Sequence, residues 1–155
     1  MSDKMRAALF SVLGEIDGLS VLDAFAGSGA LAFEAISRGA SRALMLESDV
    51  SAQKTIARNI ELLAVQDAAA LVKAAAGAWL RTSNEEEQFD VIFCDPPYTD
   101  VQERLLSGLS SRVRLGGILV LSWPGHLQPP VFSGLSMVKV KSYGDSQLIF
   151  YRKTG

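Results

Sequence analysis

The chain has 155 residues, of which 48% are hydrophobic and 21% charged, and this is typical of a folded α/β domain rather than a disordered chain. The 15 basic and 17 acidic side chains give a net charge of −2. Autonomous nucleic-acid-binding proteins usually have a basic excess, so the totals count against tight binding of this kind but not against a local basic patch. No apolar run approaches the ~18 residues needed to span a membrane.

The cysteine content and the first residues both favour a cytoplasmic protein. Cys94 is the single cysteine, so no internal disulfide can form, which fits a reducing compartment. Residues 1–6 are not followed by the apolar segment of a signal peptide. With one histidine and one cysteine, we expect no zinc site and no other metal.

Helices and strands are predicted to alternate along a single domain covering residues 1–155, and the last two elements form a hairpin. The predicted helices cover residues 2–14, 28–38, 49–63 and 76–82 and the segment that begins with the capping pair Thr99 and Gln102. The predicted strands cover residues 19–25, 42–47, 70–74, 89–94, 113–122, 135–142 and 147–152.

This alternation predicts a doubly wound, mostly parallel sheet with helices on both faces. The closing hairpin turns at Gly144 and Asp145, so the last strand should run antiparallel to its neighbour. Residues 123–130 contain three prolines and a glycine, and we expect the fifth strand to end before them. Residues 84–88 (NEEEQ) should form a solvated loop.

The first strand is followed by a glycine-rich turn that is typical of nucleotide-binding β-α units. Gly27 and Gly29 lack a Cβ atom, which allows a tight turn and close approach of a ligand to the backbone. The pattern G-x-G-x-x-A alone is weak, because dinucleotide-binding proteins share it. Glu47 strengthens the signal, because an acid at the end of the second strand can accept hydrogen bonds from both hydroxyls of an adenosine ribose.

The fourth strand ends in Asp95-Pro96-Pro97-Tyr98, which suits methylation of an exocyclic amine on a nucleobase. The two prolines make a stiff turn, and the Asp95 carboxylate and the Pro96 carbonyl could both accept hydrogen bonds from one NH2 group. Tyr98 offers a ring on which a base could stack. Such an amine is a poor nucleophile, so catalysis would consist mostly of positioning and electrostatic stabilisation.

These motifs are expected to converge. In an open α/β sheet, ligands bind beyond the carboxyl ends of the strands, and Asp23, Gly27, Glu47 and Asp95 all fall at or just past such ends. The sequence therefore predicts one crevice that holds a methyl donor, S-adenosyl-L-methionine, next to a base.

In combination, these segments resemble the RsmD-type family of S-adenosylmethionine-dependent methyltransferases of guanine N2 in small-subunit ribosomal RNA. The matching segments are LDAFAGSGALAFEAISRGA, LESD, FDVIFCDPPY, YGDS and SDKMR with Leu9-Phe10. The resemblance implies a class I methyltransferase sheet of seven strands in the order 3-2-1-4-5-7-6, with strand 7 antiparallel. It also implies that ribosomal RNA, or an assembly intermediate of the small subunit, is the partner. Separately, we expect the protein to be a monomer.

The resemblance assigns roles to individual residues. Residues 23–29 would hold the methionine end of the cofactor, Glu47 the ribose, and residues 95–98 the base. The candidate cofactor-binding residues are Asp23, Phe25, Gly27, Ser28, Gly29, Glu47 and Ser48. The candidate catalytic residues are Asp95, Pro96 and Tyr98.

The chain departs from the family in three places, one of which is the segment WPGH at residues 123–126, which is not a family signature. Family members usually begin with a basic β-hairpin that would be expected to hold RNA, and this chain starts too late to have one. The family often has Asp or Asn near the adenine, where this chain has alanines at 74–76. Three alternatives stay open. The missing hairpin and the alanines favour a cofactor-binding interaction module with weak catalysis. Because residues 95–98 suit any exocyclic amine, a DNA adenine or cytosine amino methyltransferase is the second, and the G-x-G-x-x-A pattern allows an NAD-dependent oxidoreductase as the third.

The other reactive or aromatic side chains have simpler interpretations. Cys94 lies inside an apolar strand, so it is interpreted as an inert core residue rather than a nucleophile. Trp79 and Trp123 are predicted to pack in the core, and His126 to lie in a surface loop.

Overall fold

The computed structural model describes residues 1–97 and 103–155. The helices are α1 (Asp3–Leu13), α2 (Ala30–Ser37), α3 (Val50–Leu62), α4 (Ala76–Thr82) and α5 (Glu103–Ser110). The strands are β1 (Ser20–Asp23), β2 (Arg42–Leu46), β3 (Ala69–Val72), β4 (Phe89–Cys94), β5 (Val113–Pro124), β6 (Leu135–Tyr143) and β7 (Ser146–Lys153). Among the described residues, no helix is both long and apolar enough to cross a bilayer.

The seven strands form one sheet in the order β3-β2-β1-β4-β5-β7-β6, and this confirms the predicted order. Strands β1 to β5 run parallel to one another, whereas β7 runs antiparallel to both β5 and β6. The strand order reverses at β1 and β4, which lie side by side. A ligand crevice is expected where their carboxyl ends diverge.

Helices cover both faces of the sheet, because successive strand residues point to opposite sides. Val21 and Phe93 pack in the cluster that contains the apolar faces of α1, α2 and α3. Leu22 and Ile92 pack on the other face, against α4 and α5. The two apolar layers hold the carboxyl ends of the central strands in fixed register.

Two predicted helix starts are confirmed by their caps. The Ser2 hydroxyl accepts a hydrogen bond from the Met5 amide at 3.1 Å, and the Asp49 carboxylate accepts one from the Ala52 amide at 2.8 Å. The capping pair proposed for α5, Thr99 with Gln102, lies outside the described residues.

The prediction that β5 ends at Ser122 was wrong by two residues. Trp123 and Pro124 continue the strand and pair with Gln147 and Ser146 of β7. The pairing of β5 with β4 ends earlier, at Leu121. Pro124 is therefore tolerated, because it lies at the strand end, where only one neighbouring strand remains.

The acidic connector is only partly the solvated loop that was expected. Glu85 and Glu86 are exposed, but Glu87 is half-buried and pairs with Arg42 at the start of β2. The main-chain oxygens of Asn84 and Glu87 also accept hydrogen bonds from the buried guanidinium of Arg112. The loop thus lies at the amino ends of β2 and β4, at the opposite end of these strands from the crevice.

Candidate active site

A cleft of about 530 Å3 opens at the carboxyl ends of the central strands, and we call it the main cleft. Its volume is in the range of small-molecule sites, ~300–1,000 Å3. It is lined by residues 24–25, 46–48 and 74–78 together with Arg81, Pro97 and Leu105. Of the residues predicted to bind a cofactor, Phe25, Glu47 and Ser48 lie in this lining.

The carboxylate of Glu47 is held in place by two backbone amides. Its Oε1 accepts a hydrogen bond from the Gly27 amide at 2.7 Å, and its Oε2 accepts one from the Asp49 amide at 2.8 Å. Each carboxylate oxygen can accept a further hydrogen bond. Glu47 is therefore a pre-oriented acceptor on the wall of the main cleft, and it links the glycine turn to the end of β2.

The glycine turn behind this contact requires its two glycines. Gly27 and Gly29 both have positive φ, +57° and +85°. A Cβ atom on Gly29 would lie 2.6 Å from a ring carbon of Phe33, so a side chain there is excluded on steric grounds as well. Ser28 is exposed, and neither it nor the two glycines lines the main cleft.

Asp23 ends β1 in an unusual environment for a carboxylate. Its side chain is 1% exposed, and neither oxygen has a hydrogen bond of ordinary geometry among the described residues. Burial raises the pKa of Asp23 to about 7, and the negative charges of Asp95 and Glu47 add to this effect. The nearby amides of Phe25 and Ala32 act in the opposite direction but do not offset burial.

This buried acid should make the stability of the free protein fall as the pH rises. The unfolded Asp23 ionises near its ordinary pKa of 3.8, but the folded state keeps the proton up to about pH 7, so the folded state binds more protons between these values. Asp23→Asn removes the titration. Relative to the variant, the wild type should lose up to about 4 kcal/mol between pH 4 and pH 7, at ~1.4 kcal/mol per pKa unit. Urea unfolding of both proteins across this range measures it, and parallel stability curves would contradict it.

The end of β4 forms the other side of the crevice. The side chain of Asp95 is 25% exposed, and its Oδ2 lies 3.4 Å from the amino group of Met1. Pro96 is buried and Pro97 is exposed and lines the main cleft. Tyr98, the predicted base-stacking residue, lies outside the described residues. The structure thus brings Asp23, Glu47 and Asp95 to one edge of the sheet, close enough for their charges to interact.

Sequence reasoning missed the wall formed by α4 and α5. Gly77 and Arg81 of α4 and Leu105 of α5 line the main cleft. The one sequence signal for this wall was the run of small residues at 74–78, which lets a ligand approach the backbone closely. No local pattern identified Arg81.

The remaining candidates lie outside the cleft or are chemically inert. Burial raises the pKa of the Cys94 thiol above its ordinary value, and the charges of Asp23 and Asp95 raise it further, so no thiolate forms at neutral pH. Trp123 is buried, and His126 lies in an exposed loop beside the β6–β7 turn. The described residues contain no group of three or more His, Cys, Asp or Glu side chains that could hold a metal ion.

Comparison with known proteins identifies close relatives. The sequence model of the family described as "Conserved hypothetical protein 95" matches residues 1–152. YlbH of Bacillus subtilis, described as a candidate rRNA methyltransferase, is 30% identical over 99% of this chain and 87% of its own length. Ribosomal RNA small subunit methyltransferase D of Haemophilus influenzae is 33% identical over 62% of this chain and 51% of that enzyme. The structure of yhhF from Escherichia coli, described as a candidate methyltransferase, superposes with a TM-score of 0.89 at 25% identity, covering 99% of this chain and 86% of that one.

Proposed function

The chain belongs to the Conserved hypothetical protein 95 family, the RsmD-type methyltransferases, and from this premise we propose its reaction. It transfers a methyl group from S-adenosyl-L-methionine to an exocyclic amino group of a nucleobase, namely N2 of guanine in small-subunit ribosomal RNA. The observation that carries the proposal is the set of three acids, Asp23, Glu47 and Asp95, at the ends of the neighbouring strands β1, β2 and β4. Residues 1–155 would act as one methyltransferase domain in the cytoplasm.

The acids around the main cleft fit the cofactor. Each carboxylate oxygen of Glu47 accepts one hydrogen bond from a backbone amide and can accept another, so Glu47 would bind the ribose hydroxyls. The buried carboxylate of Asp23, which has no hydrogen bond of ordinary geometry among the described residues, would accept hydrogen bonds from the cofactor's ammonium group. Residues 74–76 have methyl side chains only, so the adenine would contact backbone and apolar surface there.

The Asp95-Pro96-Pro97 turn fits the nucleophile. The Asp95 carboxylate and the Pro96 carbonyl would each accept a hydrogen bond from the NH2 group. These bonds would orient the lone pair of the amine toward the methyl donor and stabilise the positive charge that develops on nitrogen. When bound, S-adenosylmethionine supplies an electrophilic methyl group on a sulfonium sulfur. Asp95, partly exposed, can then pass the proton released by the amine to solvent.

An RNA substrate is favoured over DNA by the relatives. YlbH and methyltransferase D are both named as methyltransferases of ribosomal RNA. The Asp95 carboxylate and the Pro96 carbonyl do not by themselves distinguish guanine N2 from the exocyclic amines of adenine or cytosine. The base therefore has to be identified on the product.

The test is methyl transfer from tritiated S-adenosylmethionine to three substrates: an unmodified small-subunit rRNA transcript, 30S particles assembled from it, and duplex DNA. We expect incorporation into the RNA or the particle, with N2-methylguanosine recovered on nucleoside digestion. Incorporation into DNA alone would favour the DNA amino methyltransferase. Binding of S-adenosylhomocysteine without transfer to any substrate would favour the interaction module.

A further inference from the structure

Two arginines beside the main cleft have no ion pair or hydrogen bond in the part of the chain that the structure describes. Most other arginines are neutralised or bonded within the fold, including Arg6, Arg38, Arg42, Arg112, Arg114 and Arg152. Within residues 1–97 and 103–155, no acidic partner or hydrogen bond is found for the guanidinium of Arg58, Arg81 or Arg104. Arg81 and Arg104 are exposed and line the same depression, whereas Arg58 lies on α3 and lines none of these sites.

We call this depression the arginine groove and define it by Gly77, Leu80, Arg81, Arg104 and Leu105. Its volume is about 400 Å3, and it shares Gly77, Arg81 and Leu105 with the main cleft. Arg104, by contrast, lines only the groove. The groove is therefore a continuation of the main cleft on the side of α5.

The two guanidiniums are carried by a rigid pair of helices. α4 and α5 pack so closely that a Cβ atom on Gly108 would lie 2.8 Å from a methyl carbon of Leu80. The buried guanidinium of Arg112 stacks on Trp79 at 4.6 Å and donates to the Leu80 carbonyl and the Ser83 hydroxyl, which fixes the end of α4. The guanidinium of Arg81 lies over Gly77, where its Nη1 is 3.5 Å from the position of an added Cβ.

We propose that Arg81 and Arg104 bind backbone phosphates of the RNA strand next to the target nucleotide. This inference rests on the proposed function and adds the element that positions its substrate. Guanidinium groups bind phosphate through paired, charge-assisted hydrogen bonds, and unpaired arginines need not break an internal ion pair to do so. They form a local basic site on a chain whose net charge is −2. Of the acidic residues 85–87, which follow α4, Glu87 is neutralised by its ion pair with Arg42.

The arginine groove is better placed to bind the RNA strand than to bind the cofactor. The acids proposed to hold the cofactor lie on β1 and β2, and Arg104 does not reach the main cleft. Pro97 and Leu105 of α5 both line the main cleft, and Leu105 also lines the groove with Arg104. A nucleotide whose base enters the Asp95-Pro96-Pro97 turn would therefore place its neighbouring phosphates near the first turn of α5.

The test compares Arg81→Gln, Arg104→Gln and the double variant with Arg58→Gln, which removes the same charge from α3. For each arginine of the groove, the KM for the unmodified small-subunit rRNA transcript should rise about 5- to 10-fold, with kcat nearly unchanged. In filter binding, the slope of log K against log salt should become less steep by about 0.7 per arginine. Arg58→Gln should match the wild type, and the affinity for S-adenosylhomocysteine should stay within about twofold in every variant.

The outcomes separate the two proposals. A wild-type protein that binds the cofactor but methylates no RNA contradicts the proposed function. If the wild type methylates RNA but the double variant has the same KM and salt dependence as Arg58→Gln, the phosphate site is overturned and the proposed function stands. Equal losses of RNA and S-adenosylhomocysteine affinity would also overturn it, because the arginines would then serve the cofactor.

Discussion

Replacing Asp95 by alanine should lower kcat for methyl transfer by about 10^3-fold, with nearly unchanged affinity for S-adenosylhomocysteine. The Asp95 carboxylate lies at the end of β4 and is only 25% exposed, so a replacement water would not hold the amine in one orientation. The positive charge that develops on the amine nitrogen would also lose its anionic partner. Single-turnover kinetics with saturating cofactor measure the chemical step directly.

Asp67→Ala is the matched control, because Asp67 is exposed in the turn between α3 and β3. Its kcat should equal that of the wild type. Turnover of Asp95→Ala at the wild-type rate would rule out the proposed role of this carboxylate. A parallel loss of cofactor affinity would instead move Asp95 from the base site to the cofactor site.

The second large effect is expected for Glu47→Gln, which should weaken S-adenosylhomocysteine binding by about 30- to 100-fold. Both Glu47 oxygens accept from amides, those of Gly27 and Asp49. A glutamine has only one acceptor oxygen, so its NH2 group would face one of these donors, and the side chain would turn away from the cleft. The ribose would then lose a charged acceptor as well.

Calorimetric titration with S-adenosylhomocysteine measures this loss, with NAD as the control ligand. Glu61→Gln on the exposed side of α3 controls for the change in net charge. Unchanged affinity in Glu47→Gln would show that the ribose is held elsewhere. NAD binding tighter than S-adenosylhomocysteine binding would support the oxidoreductase reading of the glycine turn.

Much of the fold follows from short-range sequence patterns. The apolar run 89–94 matched β4 residue for residue, and the caps at Ser2 and Asp49 started their helices as predicted. These features depend on neighbouring residues only, because strand periodicity and capping bonds are local. Alternation predicted the parallel sheet, and the family resemblance supplied the order of its strands. The position of Glu47 directly after β2 was also predicted from the sequence, because strand ends follow from the same local patterns.

Other features depended on which elements pack together. Arg81 and Arg104 are brought into one groove by the close contact of α4 and α5 at Gly108, and no local window contains both residues. The burial of Asp23, and its lack of a hydrogen bond of ordinary geometry among the described residues, also depend on the packing around the end of β1. The sequence by itself thus determined the fold class, the glycine turn and the three acids at the strand ends. Only the tertiary structure decided which charges are paired, which are buried and which are left free for a ligand, because these properties depend on distances between residues far apart in the chain.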